Sequence, residues 1–288
     1  MSLTGRTAIV TGAAAGLGRA EALALAARGA TVVVNDISEP KDVVDEIETA
    51  GGKAVAVAGD VGERATADAL VRAALDLGGL DIVVNNAGVV RDRMLFSMSD
   101  DEWDTVLRVH LRGHFLLSRN AAKYWRDKSK ADGKPVYGRL VNTASEAFLF
   151  GSPGQPNYAA AKAGIAALTV SAARGLAKYG VRANAICPRA RTAMTEGVFG
   201  AAPENATAGT DPLSVDHVAP FVAYLASPAA EHVNGQVFVV HGGQVALVEP
   251  PRIERHWALD ELETTVSAFF AERDPARMFA VTENLEES

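Results

Sequence analysis

The sequence predicts an α/β fold in which helices cover both faces of one doubly wound parallel sheet. Three observations support this prediction: short apolar runs alternate with helical runs, a glycine-rich turn joins the first strand to the first helix, and polar residues follow later strands. Such alternation is typical of parallel sheets, which need a crossover helix between successive strands. Because these sheets bind ligands beyond the carboxyl ends of their strands, we expect the functional residues there.

The first strand, over residues 6–10, leads into a glycine-rich turn over residues 11–18 and then into a helical run. Gly12 permits the tight turn, Gly16 lets a pyrophosphate approach the backbone, and Gly18 lets the helix pack closely on the strand. The N-terminus of that helix would face the phosphates of a dinucleotide. We therefore predict cofactor contacts at Gly12, Gly16, Leu17 and Gly18.

Asp36 follows the second strand, residues 31–35, where a carboxylate would meet the hydroxyls of an adenosine ribose. Its charge would repel a 2′-phosphate, and the alanines at residues 13–15 supply no arginine to neutralise one. The sequence therefore favours NAD over NADP. The alternative is that Asp36 only caps the turn that follows it.

Helices and strands keep alternating beyond Asp36. Helices are predicted over residues 41–49 and 63–77, and strands over residues 53–58 and 81–84. Polar residues follow both strands, at the edge where a parallel sheet binds its ligands. We predict further cofactor contacts at Asp60, Val61, Asn86, Ala87 and Gly88. A turn held by asparagine side chains would explain the asparagines as well, and both interpretations can hold together.

Tyr158 and Lys162 stand one helical turn apart, so they share a face of the predicted helix. A fixed ammonium favours the phenolate form of a tyrosine, whose ordinary pKa of about 10 is too high for a base near neutral pH. Ser145 follows a strand-like run over residues 139–143 and could return to hydrogen-bond a substrate oxygen. Taken alone, a Tyr-x-x-x-Lys pair could equally lie on an exposed helix face.

Together these motifs resemble the short-chain dehydrogenase/reductase family. The motifs that match it in order and spacing are residues 11–18, residues 85–88, Ser145, Tyr158 and Lys162. The resemblance covers roughly residues 5–243 and, because several motifs agree, it is more specific than any one of them. It implies a single Rossmann-type domain, a nicotinamide cofactor, and catalysis by this serine, tyrosine and lysine. It also implies a homodimer or homotetramer.

His110 stands where most members of this family have an asparagine, which is thought to fix a helix kink and a water that passes protons to the lysine. A histidine could donate similar hydrogen bonds and also titrate, so His110 is a candidate catalytic residue. The Val-His-Leu-Arg-Gly string around it, in a helix predicted over residues 100–127, resembles the dehydrogenase part of multifunctional β-oxidation enzymes, which act on 3-hydroxyacyl-CoA. His110 and His114 have the spacing of a metal pair, but no third ligand is evident, so we predict no metal site.

The strand that follows the tyrosine helix ends in Pro188 and Arg189, where the family usually has Pro-Gly. The resemblance implies cofactor contacts at Pro188 and Thr192. Arg189 and Arg191 could pair with phosphates of the cofactor or of coenzyme A, or they could be solvated. The stretch over residues 196–211, rich in alanine, glycine and threonine, is interpreted as a mobile lid over the substrate site.

We predict two parts of the chain: a Rossmann-type catalytic domain over residues 1–245 and an extension over residues 246–288. The last strand of the domain is predicted over residues 236–240. Helical apolar spacing predicts a helix over residues 259–272, and we expect the extension to dock on the body or on a neighbouring subunit. Residues 123–137, polar and rich in lysine, are predicted to form a surface loop.

Composition narrows the class of protein. A formal net charge of −7 and a pI near 5.4 disfavour a nucleic-acid surface, which needs a basic stripe. The single cysteine, Cys187, excludes an internal disulfide and fits a reducing compartment. No hydrophobic run reaches membrane-spanning length and the first residues lack a signal-peptide pattern, so we expect a cytoplasmic protein with a small-molecule substrate and no membrane partner.

These inferences predict an NAD-dependent oxidoreductase that interconverts a secondary alcohol and a ketone. Tyr158 would transfer the proton, Ser145 would position the substrate oxygen, and Lys162 would lower the pKa of Tyr158 and hold the nicotinamide ribose. His110 would continue the proton relay. The favoured substrate is a 3-hydroxyacyl thioester linked to coenzyme A, with a steroid-type alcohol next. The alternatives are an NADPH-dependent 3-oxoacyl-carrier-protein reductase and, more remotely, a non-catalytic NAD-binding regulator.

Overall fold

The computed structural model describes residues 2–195, 200 and 211–273. In this part of the chain an eight-stranded sheet has the order β3-β2-β1-β4-β5-β6-β7-β8. The strands are β1 (Thr7–Thr11), β2 (Thr31–Asp36), β3 (Lys53–Ala58), β4 (Ile82–Asn85), β5 (Gly138–Thr143), β6 (Val181–Pro188), β7 (Val237–His241) and β8 (Gln244–Leu247). Neighbouring strands pair in parallel except for β8, which is antiparallel to β7. The predicted fold class is confirmed.

Helices cover both faces of the sheet. They are α1 (Gly16–Ala26), α2 (Lys41–Thr49), α3 (Arg64–Asp76), α4 (Asp100–Leu107), α5 (Gly113–Asp132), α6 (Ala147–Phe150), α7 (Pro156–Leu176), α8 (Ala219–Leu225) and α9 (Ser267–Glu272). Successive residues of a strand point to opposite faces, so Val10 shares a core cluster with Leu25 of α1, whereas Ile9 shares one with Trp125 of α5. Packing of this kind puts α1, α2 and α8 on one face and α3, α5 and α7 on the other.

The helix predicted over residues 100–127 is interrupted. It begins as α4 at a capping box, in which the Ser99 hydroxyl accepts from the Glu102 amide and the Glu102 carboxylate accepts from the Ser99 amide. A π-helical stretch, Arg108–Arg112, then joins α4 to α5. Such stretches are rare and often mark functional sites. Here the π-helical stretch carries His110.

The surface loop predicted over residues 123–137 is wrong as far as Asp132, where α5 ends. Two i,i+4 ion pairs support the additional turns: Lys123 with Asp127 at 2.6 Å and Lys128 with Asp132 at 3.1 Å. Polar composition alone therefore did not indicate a loop. Gly133, in the left-handed conformation with φ of 65°, ends the helix.

The strand β8 was not predicted. Gly242 and Gly243, with φ of 55° and 80°, turn the chain back after β7 so that β8 extends the sheet. In place of one helix over residues 259–272, the extension has a 3-10 turn, a π-helical stretch and then α9. The rings of Trp257 and Phe269 pack on each other there, with centroids 5.4 Å apart.

The stretch interpreted as a mobile lid, residues 196–211, falls almost wholly outside the described residues, so that interpretation stays a prediction. Its flanks are described. Arg191 and Asp211 form an ion pair there, with Nε and Oδ2 3.3 Å apart. Of the helices that the structure describes, none is both long and apolar enough to cross a membrane.

Candidate active site

A cavity of about 450 Å³ lies at the carboxyl ends of the central strands. The segments that follow β1, β2, β3, β4, β5 and β6 all contribute to its walls. The predicted site residues that line it are Gly12, Gly16, Leu17, Asp36, Asp60, Val61, Asn86, Ala87, Gly88, His110, Ser145, Tyr158, Lys162, Pro188 and Thr192. Gly18 was predicted with them but is not one of the residues that line the cavity. The structure thus brings the glycine turn and the Tyr158–Lys162 pair into one space.

The glycine turn between β1 and α1 is packed too closely for side chains. A Cβ at Gly18 would stand 2.3 Å from the carbonyl oxygen of Gly12, and one at Gly12 would stand 2.7 Å from the Cα of Ala87. The Asn86 amide donates to the carbonyl oxygens of Thr11 and Gly12, at 3.1 Å each. Asn86 therefore stabilises the turn by side-chain hydrogen bonds, as one of the two interpretations of the asparagines expected. Asn86 also lines the cavity.

Asp36 is held at the end of β2 by two backbone amides. One carboxylate oxygen accepts from Ala14 at 2.9 Å and the other from Ile37 at 2.7 Å. Each carboxylate oxygen has a further lone pair, so Asp36 can still accept from ribose hydroxyls. The arginine nearest in sequence to the turn, Arg19, is paired with Glu46.

The cavity fits a nicotinamide dinucleotide. Its glycine turn leaves backbone amides at the N-terminus of α1 uncovered by side chains, which suits a pyrophosphate. Asp36 stands in its wall and suits a ribose, and Thr192 lies across from the turn, its Cγ2 3.4 Å from where a Cβ of Gly16 would be. The predicted cofactor contacts at these positions stay predictions.

The catalytic candidates stand in the wall formed by β5 and α7. Pro156 begins α7, which puts Tyr158 in its first turn and Lys162 one turn later on the buried side. The Lys162 ammonium donates to the carbonyl oxygen of Thr143 at 2.5 Å and lies 5.4 Å from the centre of the Tyr158 ring. Ser145 follows β5, and its hydroxyl accepts from the Ala147 amide at 3.2 Å.

Burial dominates the titration of this pair. It raises the pKa of Tyr158 to about 12, although a hydrogen bond with Ser145 works in the opposite direction. It also lowers the pKa of Lys162 to about 7. The expectation that Lys162 lowers the pKa of Tyr158 is therefore not met by the protein's own groups, because burial removes the hydration of both charged forms and this outweighs the effect of the ammonium.

His110 meets Tyr158 edge to face, with ring centroids 5.2 Å apart at 90°. Its Nε2 lies 2.7 Å from the carbonyl oxygen and 3.0 Å from the amide nitrogen of Val89. Burial, and then the charge of Lys162, hold the pKa of His110 well below its usual value. Titration of His110 near neutral pH, which the sequence had left possible, is therefore corrected: the ring is neutral there.

His114 packs inside the helix layer. Its Nδ1 lies 2.8 Å from the carbonyl oxygen of His110, and burial lowers the pKa of His114 to about 3. Within the described residues, no group of three or more histidine, cysteine or acidic side chains could hold a metal ion.

Two ion pairs near the cavity were not predicted. Arg189, for which the sequence left a phosphate or solvent as partner, has two of its nitrogens on the carboxylate of Glu146, at 2.7 and 2.9 Å. Arg108 binds Asp60 at 2.7 Å in the cavity wall. Glu146 and Arg189 lie 43 residues apart in the sequence, and no local pattern indicated that they form an ion pair.

Residues 6–201 match the family model described as short chain dehydrogenase. The chain therefore belongs to the short-chain dehydrogenase family, and it is an oxidoreductase that uses a nicotinamide cofactor.

Individual relatives are more specific. Over 296 aligned residues the chain is 64% identical to hydroxyacyl-CoA dehydrogenase ChsB1 of Mycobacterium tuberculosis, an alignment that covers 98% of this chain and 93% of that protein. It is 42% identical to peroxisomal multifunctional enzyme type 2 of Mus musculus over 84% of this chain, which spans only 32% of that longer protein. A crystal structure of a short chain dehydrogenase from Mycobacterium avium superimposes with a TM-score of 0.83 at 45% identity, covering 96% of this chain and 98% of that one.

Proposed function

We propose that this chain is an NAD-dependent dehydrogenase that interconverts a 3-hydroxyacyl-CoA and its 3-oxoacyl-CoA. The observation that carries the proposal is that one cavity holds Tyr158, Lys162 and Ser145 at one wall and Asp36 at another. The identity of 64% with a hydroxyacyl-CoA dehydrogenase supports the choice of substrate.

Tyr158 is the group that would exchange the proton with the substrate. In the oxidation of an alcohol, the phenolate of Tyr158 takes the hydroxyl proton, and in the reduction of a ketone the phenol returns it. The Ser145 hydroxyl would hold the same substrate oxygen, because Ser145 and Tyr158 line the same cavity and Ser145 acts to lower the pKa of Tyr158. Removal of the hydroxyl proton leaves the electron pair that allows a hydride to depart from the carbon.

The cofactor would lie along the cavity. When bound, the nicotinamide ring accepts or donates the hydride, and its oxidised form carries a positive charge that favours the phenolate. The glycine turn would hold the pyrophosphate, Asp36 the adenosine ribose, and Lys162 the nicotinamide ribose. Asp36 supports NAD, because its carboxylate would repel a 2′-phosphate.

His110 would contribute as a neutral group. Its low pKa, caused by burial and by the charge of Lys162, keeps the imidazole uncharged. It can still donate or accept one hydrogen bond beside Tyr158, which is what a step in a proton relay requires.

Substrate choice is tested by comparing turnover of 3-hydroxybutyryl-CoA, the matching acyl-carrier-protein thioester and a secondary steroid alcohol, each with NAD and with NADP. We expect the CoA thioester with NAD to give the highest kcat/KM. Tyr158→Phe keeps the ring and serves as the control, with a loss of about 10²–10⁴ in kcat. A clear preference for NADP or for either of the other substrates would contradict the proposal.

We also propose that residues 1–245 form the catalytic domain and that the extension, residues 246–288, docks on a second copy of this chain in a dimer or tetramer. Ile253, Leu259 and Phe270 support this, because they are 75%, 86% and 56% exposed in the single chain. Several exposed apolar side chains in one short extension support an interaction surface there.

A further inference from the structure

We propose that the Glu146–Arg189 ion pair positions Ser145, so that Arg189 is a positioning residue for the reaction. The inference rests on the proposed function in one respect: Ser145 must bind the substrate oxygen. Its physical basis is that Ser145 sits in a short connection after β5. A backbone hydrogen bond to β6 holds this connection on one side, and the ion pair with Arg189, which follows β6, holds it on the other.

The ion pair itself is closely matched in geometry. Arg189 Nε lies 2.7 Å from Glu146 Oε2, and Nη2 lies 2.9 Å from Oε1, so the guanidinium and the carboxylate meet along two parallel hydrogen bonds. The side chains are only 21% and 9% exposed. A two-point contact that is largely shielded from water restricts both distance and rotation, which a single exposed pair does not.

The residues on either side of Ser145 both contact the end of β6. On one side the Ala144 amide donates to the carbonyl oxygen of Ile186 at 2.7 Å. On the other side Glu146 binds Arg189, which follows β6 directly. The Ser145 hydroxyl also accepts from the Ala147 amide, within the turn that Glu146 begins. Movement of Glu146 would therefore move the hydroxyl.

Arg189 is itself anchored to a third strand. Its amide donates to the carbonyl oxygen of Val240 at 3.0 Å, and its Nη1 lies 3.5 Å from His241 Nε2. The charge of Arg189, after burial, lowers the pKa of His241. The guanidinium thus connects the ends of β5, β6 and β7. A glycine at this position would have no side chain to make this connection.

The test separates positioning from general stability. We expect Arg189→Gln to lower kcat for 3-hydroxybutyryl-CoA oxidation by about 10- to 100-fold while KM stays nearly constant. In a Ser145→Ala background, the same change should alter kcat by less than about twofold, because residues that act as a unit are not additive. Arg189→Lys, which keeps the charge but loses the two-point contact, should be intermediate. Equal losses in both backgrounds would overturn the proposal.

The matched control is Arg6→Gln, which breaks an ion pair with Asp81 of 2.9 Å at the opposite end of the sheet. Arg6→Gln should lower the melting temperature. It should leave kcat unchanged both in the wild-type protein and in the Ser145→Ala variant. If Arg6→Gln reproduces the kinetic pattern of Arg189→Gln, the pair is merely structural and the proposal fails.

A second measurement does not depend on the substrate. Hydrogen–deuterium exchange should become faster in the peptide that contains the Ala147 amide when Arg189→Gln is introduced, and should not change there with Arg6→Gln. Unchanged exchange in this peptide overturns the positioning role. Faster exchange without turnover of any CoA thioester by the wild-type protein would leave the positioning role intact and refute the proposed substrate instead.

Discussion

The ring of His110 stands at a right angle to the ring of Tyr158, 5.2 Å away, on the π-helical stretch between α4 and α5. Its nitrogen contacts are to the backbone of Val89, which follows the glycine that ends the β4 turn. A neutral imidazole is thereby held beside the phenol by an edge-to-face ring contact and by hydrogen bonding to the Val89 backbone.

His110→Asn should keep a hydrogen-bonding group in this position. Because the pKa of His110 lies well below its usual value, the charge of His110 does not change near neutral pH. We therefore expect the pH profile of kcat/KM to rise and fall at the same pH in His110→Asn as in the wild type. The measurement is kcat/KM against pH for both proteins. A limb that disappears in His110→Asn would show that His110 titrates in the working range. His110→Phe, which removes the hydrogen bonds, should reduce kcat by roughly 10- to 100-fold.

Glu21, on α1, should make stability depend on pH. The side chain is 0% exposed, neither carboxylate oxygen has a hydrogen-bond partner among the described residues, and burial raises the pKa of Glu21 from 4.5 to about 8. The folded state therefore holds a proton that the unfolded state releases at lower pH. This contribution to stability is complete below pH 4.5 and is lost as the pH rises through about 8.

Glu21→Gln should remove this dependence. At about pH 9 we expect the variant to exceed the wild type by a few kcal/mol in the free energy of unfolding, since each unit of pKa shift corresponds to about 1.4 kcal/mol. At about pH 4 the two proteins should be nearly equal. Urea denaturation at both pH values measures the free energy of unfolding. Glu48→Gln, at an exposed position, is the control, and the change in its free energy of unfolding between the two pH values should equal that of the wild type. A gain for Glu21→Gln that is the same at both pH values would refute the prediction.

Asp36 should decide between the two nicotinamide cofactors. The double variant Asp36→Ser, Ile37→Arg removes the carboxylate and adds a guanidinium at a position that is 74% exposed and lines the cavity. We expect the ratio of kcat/KM for NADP over NAD to rise by at least about tenfold, equivalent to about 1.4 kcal/mol. Ile37→Arg alone is the matched control, and it should give a smaller change because Asp36 still repels the 2′-phosphate. An unchanged ratio in the double variant would show that other residues choose the cofactor.

Removal of residues 250–288 should reduce the solution mass of the assembly. Ile253, Leu259 and Phe270 of the extension are exposed in the single chain, so their loss should remove contact area between copies rather than core packing. Analytical ultracentrifugation of the full and shortened chains measures this, and circular dichroism checks that the domain stays folded. An unchanged mass with full activity would show that the extension does not join subunits.

Local sequence patterns predicted most of the residues that line the cavity. The cavity walls are short segments, and the role of each segment depends on residues that are close together in the sequence. Each of these motifs can be recognised within one turn or one strand. Examples are the glycines of residues 11–18, the carboxylate of Asp36, and the spacing of Tyr158 and Lys162. Strand alternation then placed them at the same edge of the sheet.

What the sequence did not predict depends on contacts between distant segments. Arg189 and Glu146 are brought together only by the pairing of β5 with β6. The pKa of Tyr158 depends on burial that no local pattern expresses. The strand β8 was missed because Val245 and Leu247, 47% and 62% exposed, do not alternate with residues that face a core.

Gly88 and His110 constrain which amino acids each position can accept. A Cβ at Gly88 would stand 2.3 Å from Cε1 of the imidazole, closer than two carbon atoms can approach. In a library that randomises both positions, folded variants with alanine or serine at position 88 should therefore carry a smaller side chain at position 110. Substituting either residue alone thus samples only part of the combinations that the fold permits.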